Sequence, residues 1–341
     1  MPDPVLHTIL FLLGFAVIVL GSNLFLDSAI WIARVSGLSQ LVIGATIVSV
    51  CTTVPELVSS ATASLKGSAD MAMGNAIGSV ICNTTFILGV VLLFTVAKVC
   101  KERFLIKGIS LLLALIAAVV VAVPWRTANL QTFLGSGNQA FRIGRTEAAI
   151  LLFLALVYLV VNYVEARLER ATDTEEAPAR PSTTGPDWLR NILRFLMGAF
   201  LVGVGAYLLI EYGQNLARTF GMSEAVISLV FVAFGTSLPE LFTAISALRK
   251  GAHDISVGNI MGANVLNIFL VTGLAGTLNP LCFKDPNLIR LDIPFVFVVS
   301  LCLFAYGLRA GKVGKGVGIC LLLTYVAYLA SLVLMGRVSA V

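Results

Sequence analysis

Charge is what this sequence has least of. Asp, Glu, Lys and Arg make up 12% of its 341 residues, about half the share in soluble domains. With 58% hydrophobic residues and a mean hydropathy of +0.97, a predominantly soluble chain is excluded. Histidine is nearly missing. His7 and His253 are the two present, and neither falls in the middle of an apolar run. That excludes a histidine-built metal centre and a Ser-His hydrolase, and HExxH and paired mid-membrane aspartates are missing too. No CxxC occurs among six cysteines, nearly all of which lie within or at the ends of apolar runs, as small buried hydrophobes do. The net charge of +5 is too dilute to suggest a nucleic-acid partner, and nothing requires a protein partner. The N-terminus has no basic segment followed by a small-residue cleavage site, so the first apolar run is expected to stay as a helix.

What is present is a series of apolar runs of about 20 residues, each long enough to cross a bilayer. Helices are expected near 5–33, 39–65, 70–97, 104–123 and 147–166, then near 189–218, 223–249, 255–281, 289–308 and 314–335. Between the groups lies a polar stretch from Ala171 to Asp187 with Pro178, Pro181 and Pro186, read as a solvated linker over 169–188. The expected fold is an all-α integral membrane protein of about ten transmembrane helices, five in 1–168 and five in 189–341.

The two groups are a repeat. A shift of 184 residues aligns Gly14–Gly89 with Gly198–Gly273 without a gap. From Thr52 to Gly89, 13 of 38 positions are identical, and they include Pro55/Pro239, Glu56/Glu240, Gly74/Gly258, Asn75/Asn259, Gly78/Gly262 and Asn83/Asn267. Chance likeness between apolar segments would match Leu and Val instead. Five helices per half invert the second copy across the membrane, an architecture that places substrate near the midplane. With the N-terminus outside, fifteen of the 23 Lys and Arg fall in the inner segments and eight in the outer ones. Positive-inside then puts both termini outside and the linker in the cytoplasm.

Each repeat sets a proline and a glutamate inside an apolar span, where a charge costs roughly 2.5–3.5 kcal/mol. Thr52 and Glu56 share a helix face, as do Thr236 and Glu240. Pro55 and Pro239 leave the carbonyls of Cys51 and Gly235 without their usual donors. Asn75, Ser79 and Asn83 form one stripe, and Asn259, Ala263 and Asn267 its copy. Two carboxylates, the hydroxyls of Thr52, Thr53, Thr236 and Ser237, and four amides make a hard-oxygen set suited to Ca2+, Mg2+ or Na+. The −2 charge of the glutamates is neutralised by one Ca2+, two Na+ or two protons. A site that unlike ions occupy by turns makes an exchanger. Three Na+ would leave +1, so their exchange for one Ca2+ would be electrogenic. A mid-membrane proline alone is a kink and a glycine stripe alone is packing. Their recurrence at one offset is what points to an ion site.

The motifs TTVPE with GNAIGSVICN and GTSLPE with GNIMGANVLN resemble the two alpha-repeats of the cation/calcium antiporter superfamily, most closely its sodium/calcium exchanger type. The alpha-repeats would cover about 39–97 and 223–281. The resemblance implies that Glu56, Glu240, Thr52 and Thr236 hold Ca2+. Thr53, Ser237, Ser79, Asn83, Asn267 and the carbonyls of Ser49 and Ala233 would help form Na+ sites. It also implies that the first and sixth helices slide against the other eight, with Gly14, Gly21, Gly198, Gly203 and Gly205 as smooth surfaces. Ca2+ and Na+ would be cargo in a plasma membrane, with no cofactor. Two departures stand out. Asn267 replaces the aspartate of many microbial members, which disfavours potassium dependence. Ala263 replaces a frequent serine and leaves one Na+ site short of a hydroxyl. The linker is too short for the calcium-sensing domains of animal members. A Ca2+/H+ antiporter of the same fold stays open, because protons compete for desolvated glutamates, and a passive channel would differ in needing no counter-ion.

Overall fold

The computed structural model describes residues 4–98, 101–123, 141–172, 185–219, 234–283, 285 and 287–334. Its helices are α1 Pro4–Ser36, α2 Gln40–Thr52, α3 Val54–Leu65, α4 Ala69–Phe94, α5 Lys101–Ala122 and α6 Arg145–Thr172 in the first half. The second half has α7 Gly185–Thr219, α8 Leu238–Arg249, α9 His253–Leu278, α10 Leu288–Ala310 and α11 Lys315–Leu334. Among the described residues, eight helices are long and apolar enough to cross a membrane, and the bent pair α2–α3 makes a ninth. Of the span expected over 223–249, residues 223–233 lie outside the described residues.

The proline segments differ from a kinked continuous helix. The chain stops at Thr53, turns by 42°, and restarts as α3 with Pro55 in its first turn. Pro239 sits likewise in the first turn of α8, after a short 3-10 turn at Gly235–Ser237. Proline has no N–H to offer and its φ suits a helix start, so each proline begins a half-helix within a span. The linker is also shorter at both ends than its expected 169–188. α6 runs through Thr172, and α7 begins at Gly185 with Pro186 and Asp187 in a first turn that tolerates the one and is stabilised by the other.

Two antiparallel strand pairs tie the halves together. β1 Ala97–Lys98 follows α4 and pairs with β4 Lys312–Val313 before α11. β2 Arg142–Ile143 precedes α6 and pairs with β3 Leu281–Cys282 after α9. Correspondingly, α6 packs on the C-terminal part of α9 and α11 on that of α4. This reciprocal exchange is what a two-fold relation between inverted halves produces. The turns leading out of α3 and α8 close through Gly67 and Gly251, both left-handed at φ 76° and 70°.

α1 and α7 form a closely packed pair. A Cβ on Gly198 would meet the Phe25 backbone nitrogen at 2.4 Å, and one on Gly205 that of Ile18 at 2.5 Å. These glycines, with Gly14 and Gly21, join the two helices to each other, whereas a sliding face toward the other eight was expected. Nothing lies within 4 Å of the Cβ position on Gly203. A further difference concerns Lys107, counted among the inner-loop charges. It is 1% exposed inside α5, where its Nζ donates to Asn162 Oδ1 and, at 2.6 Å, to Glu165 Oε2 on α6.

Candidate ion-binding site

Glu56 and Glu240 occupy the first turns of α3 and α8, and both are fully buried. A first turn carries unpaired N–H groups and the positive end of the helix dipole, so it favours a carboxylate. Ser237 Oγ lies near the Glu56 carboxylate and Thr52 Oγ1 near that of Glu240.

The stripes on α4 and α9 meet these turns. Thr52 Oγ1 donates to Asn259 Oδ1 at 3.1 Å, and Thr236 Oγ1 donates to Asn75 Oδ1 at 3.2 Å, so the repeats contact each other in reciprocal fashion. Ser79 Oγ lies 3.5 Å from Glu56 Oε1 and 3.4 Å from Thr236 Oγ1. Asn83 follows one turn after Ser79, in a π-helical stretch over Cys82–Ile87 that recurs at Asn267–Val271. Such stretches free backbone groups and often mark functional positions.

The structure therefore brings together Glu56, Glu240, Thr52, Thr236, Ser79 and Ser237. Ser49 is buried one turn before Thr53, with its carbonyl accepting the Thr53 N–H at 3.0 Å and Thr52 Oγ1 at 3.4 Å. Ala233 lies outside the described residues. Sequence reading missed Ser60, which takes the Asn75 amide at 2.8 Å. It also missed Asn264, whose Nδ2 donates to Thr84 Oγ1 at 2.9 Å on the wall of a cavity of about 600 Å³. The repeat hid both, because Ala244, Val80 and Ile268 stand at the matching places.

Six of the expected ligands carry buried polar atoms without a partner in the protein. They are Thr53 Oγ1, Glu56 Oε2, both amide atoms of Asn83 and of Asn267, Ser237 Oγ, and both carboxylate oxygens of Glu240. A buried polar group left unpaired costs about 1–3 kcal/mol. Six such residues together approach the whole net stability of a typical domain, about 5–15 kcal/mol. An arrangement this costly calls for a bound partner, and oxygen-rich, doubly anionic surroundings select a hard cation. Among the described residues no three His, Cys, Asp or Glu cluster as in a resident metal centre. Neutral oxygens supply most of the set.

The two halves are unequal. Ser79 faces Glu56, but its counterpart is Ala263, and both oxygens of Glu240 lack a partner.

Comparison with known proteins gives a consistent result. The family model "Sodium/calcium exchanger protein" matches residues 6–164 and 190–334. The inner membrane protein YrbG of Escherichia coli is 32% identical over 344 residues, spanning 96% of this chain and 97% of its own. Sodium/calcium exchanger MaX1 of Methanosarcina acetivorans is 28% identical over 342 residues, covering 95% and 97%. A solved structure of the sodium-calcium exchanger NCX_Mj, soaked with zero Na+ and Ca2+, superimposes with a TM-score of 0.80 at 26% identity, covering 97% of this chain and 100% of that one. The same protein soaked with 10 mM Na+ and zero Ca2+ gives 0.80 at 27% identity.

Proposed function

This chain belongs to the sodium/calcium exchanger family of membrane transporters, and from that membership we propose that it exchanges Na+ for Ca2+ by alternating access. Ca2+ binds between Glu56 and Glu240 with the hydroxyls of Thr52 and Thr236. Na+ ions use Thr53, Ser237, Ser79, Asn83 and Asn267, with the carbonyls of Ser49 and Ala233. The observation that carries this reading is the set of buried, unpartnered oxygens on Glu56, Glu240, Thr53 and Ser237. A proton would need one carboxylate oxygen and no surrounding hydroxyls, whereas Na+ uses several neutral oxygens at once.

The protein is a multi-pass membrane protein. We place it in a plasma membrane with residues 1–168 and 189–341 as inverted repeats, both termini outside and the linker in the cytoplasm. α1 and α7 move as one body, which their interlocked glycines support.

The test is radiolabelled Ca2+ uptake into proteoliposomes loaded with Na+ and diluted into Na+-free buffer. Uptake driven by the Na+ gradient and increased by an inside-positive potential is expected, since more than two Na+ would leave per Ca2+ entering. Uptake driven by a proton gradient alone would establish Ca2+/H+ antiport instead.

A further inference from the structure

The hydroxyls of Thr52 and Thr236 are held by the amides of Asn259 and Asn75, and what anchors those amides differs between the halves. Asn75 is fully engaged. Its Nδ2 donates to Ser60 Oγ at 2.8 Å and to the Glu56 carbonyl at 3.2 Å, and its Oδ1 accepts from Thr236 Oγ1. Ser60 is itself fixed, buried one turn after Glu56 and donating to the Ala72 carbonyl at 3.0 Å. A continuous chain thus runs from the α4 backbone through Ser60 and Asn75 to Thr236. In the second half Ala244 stands where Ser60 does, and Asn259 Nδ2 is buried with no partner.

An amide has a donor end and an acceptor end, and which one faces a hydroxyl decides what that hydroxyl can do. With Nδ2 held by Ser60 at 2.8 Å and, at the longer 3.2 Å, by the Glu56 carbonyl, Asn75 turns Oδ1 toward Thr236. Thr236 then gives its single proton to the amide, has the Ser79 hydroxyl at 3.4 Å on one side, and keeps a lone pair for a cation. A flipped amide would point N–H at Thr236 and occupy that lone pair.

We propose that Ser60 is a positioning residue for cation binding, fixing the Asn75 amide so that Thr236 presents its oxygen to the ion. The proposal rests on the site reading above. It assigns to the first half a pre-set hydroxyl and to the second a looser one at Thr52, whose amide partner Asn259 lacks the anchor.

The experiment is the Ca2+ dependence of initial uptake by the full-length protein in proteoliposomes, normalised to monodisperse protein. Ser60→Ala is expected to raise the KM for Ca2+ about 3- to 10-fold, the equivalent of one lost hydrogen bond. The maximal rate should stay within about 2-fold, because the defect lies in ground-state binding. Ser60→Thr, which keeps the hydroxyl, should restore the wild-type KM. Ala244→Ser supplies the missing anchor to Asn259 and should lower KM. An unchanged KM in Ser60→Ala, with only its folded yield reduced, would overturn the proposal. If Ser60→Ala does not fold, Ala244→Ser decides: a lower KM supports the proposal and an unchanged one overturns it. Glu56→Gln and Glu240→Gln in the same assay separate the two levels. Normal uptake by both removes the site itself. Abolished uptake beside an unchanged Ser60→Ala KM removes the positioning role alone.

Discussion

Thr52 Oγ1 is hydrogen-bonded to Asn259 Oδ1 at 3.1 Å, although the two residues come from opposite halves of the chain. Because Thr236 and Asn75 repeat the contact at 3.2 Å, each half completes the binding turn of the other. Each threonine hydroxyl is within donating distance of an amide oxygen of the other half, with the Ser49 carbonyl at 3.4 Å as a second, longer acceptor for Thr52. The site is therefore a property of the paired repeats, and a single repeat would leave both threonines without their partners.

Neutralising either glutamate tests the charge balance. Glu56→Gln and Glu240→Gln each halve the charge of the candidate site at a fully buried position. Removing one partner from a buried charge pair costs about 3–5 kcal/mol, so Ca2+ affinity should fall at least about 100-fold. Ca2+ uptake at micromolar Ca2+ should vanish in both variants while their size-exclusion profiles stay unchanged.

Much of this was legible in the sequence because inverted repetition writes each site residue twice. Pro55/Pro239 and Glu56/Glu240 could be picked out of long apolar runs only by their common offset. What the offset could not reveal was whatever differs between copies. Ser60 faces Ala244, so the anchor of Asn75 left no repeat signal. Lys107 lies near the start of the span expected over 104–123, and periodicity does not show that Asn162 and Glu165 on another helix reach it. The glycines of α1 and α7 were visible as a stripe, but a stripe does not say which neighbour it packs against, and each proved to face the other.

The inequality at Ala263 gives a gain-of-function prediction. Ala263→Ser would place a hydroxyl where Ser79 stands opposite Glu56, and both Glu240 oxygens are now unpartnered. The hydroxyl adds one oxygen to the cation set. Half-maximal exchange should then occur at an Na+ concentration about 2- to 5-fold lower, the worth of one modest interaction. Na+-dependent Ca2+ release from loaded vesicles measures this, and an unchanged Na+ dependence would place residue 263 outside the Na+ shell.

Asn267→Asp adds a third carboxylate to a site where the amide has no partner for either of its atoms. Protons compete with cations for every carboxylate, so inhibition should become stronger as pH falls. Ca2+ uptake by Asn267→Asp should decline more steeply than wild type between about pH 7.5 and 5.5, where carboxylates crowded together titrate. Superimposable pH profiles would remove Asn267 from the site.

Lys107 makes a prediction about stability. It is paired with Glu165 at 2.6 Å and buried at 1% exposure. Lys107→Met leaves the Glu165 charge without its cation and should destabilise the protein by about 3–5 kcal/mol. Lys107→Met with Glu165→Gln removes both charges and should recover most of the loss. Thermal unfolding in detergent, followed by the surviving monodisperse fraction, measures both. Equal melting of the single and double variants would mean that the pair contributes through packing alone.

Lys250 holds α1 against the end of α8, and here the halves differ in state as well as in sequence. Its Nζ lies 2.5 Å from Asp27 Oδ1 and 3.1 Å from the Asn23 carbonyl, and Ser246 Oγ donates to Asn23 Oδ1 at 2.5 Å. The counterparts at the opposite face are Lys66 and Glu211. Lys66 makes no ion pair among the described residues, and Glu211 has only Asn215, at 3.5 Å. In the proposed cycle, in which α1 and α7 move as one body, this contact would have to break, while its counterpart at Lys66 and Glu211 has no ion pair to break among the described residues. Lys250→Ala should therefore increase amide hydrogen exchange in the 20–36 stretch of α1. The change should be about 2- to 5-fold, because a partly exposed pair contributes about 0.2–1 kcal/mol. Asp27→Lys with Lys250→Asp re-forms the pair with reversed sign and should return exchange toward wild type. Exchange that is unaltered in Lys250→Ala would mean that the glycine packing of α1 on α7, and not this contact, holds the 20–36 stretch of α1 in place.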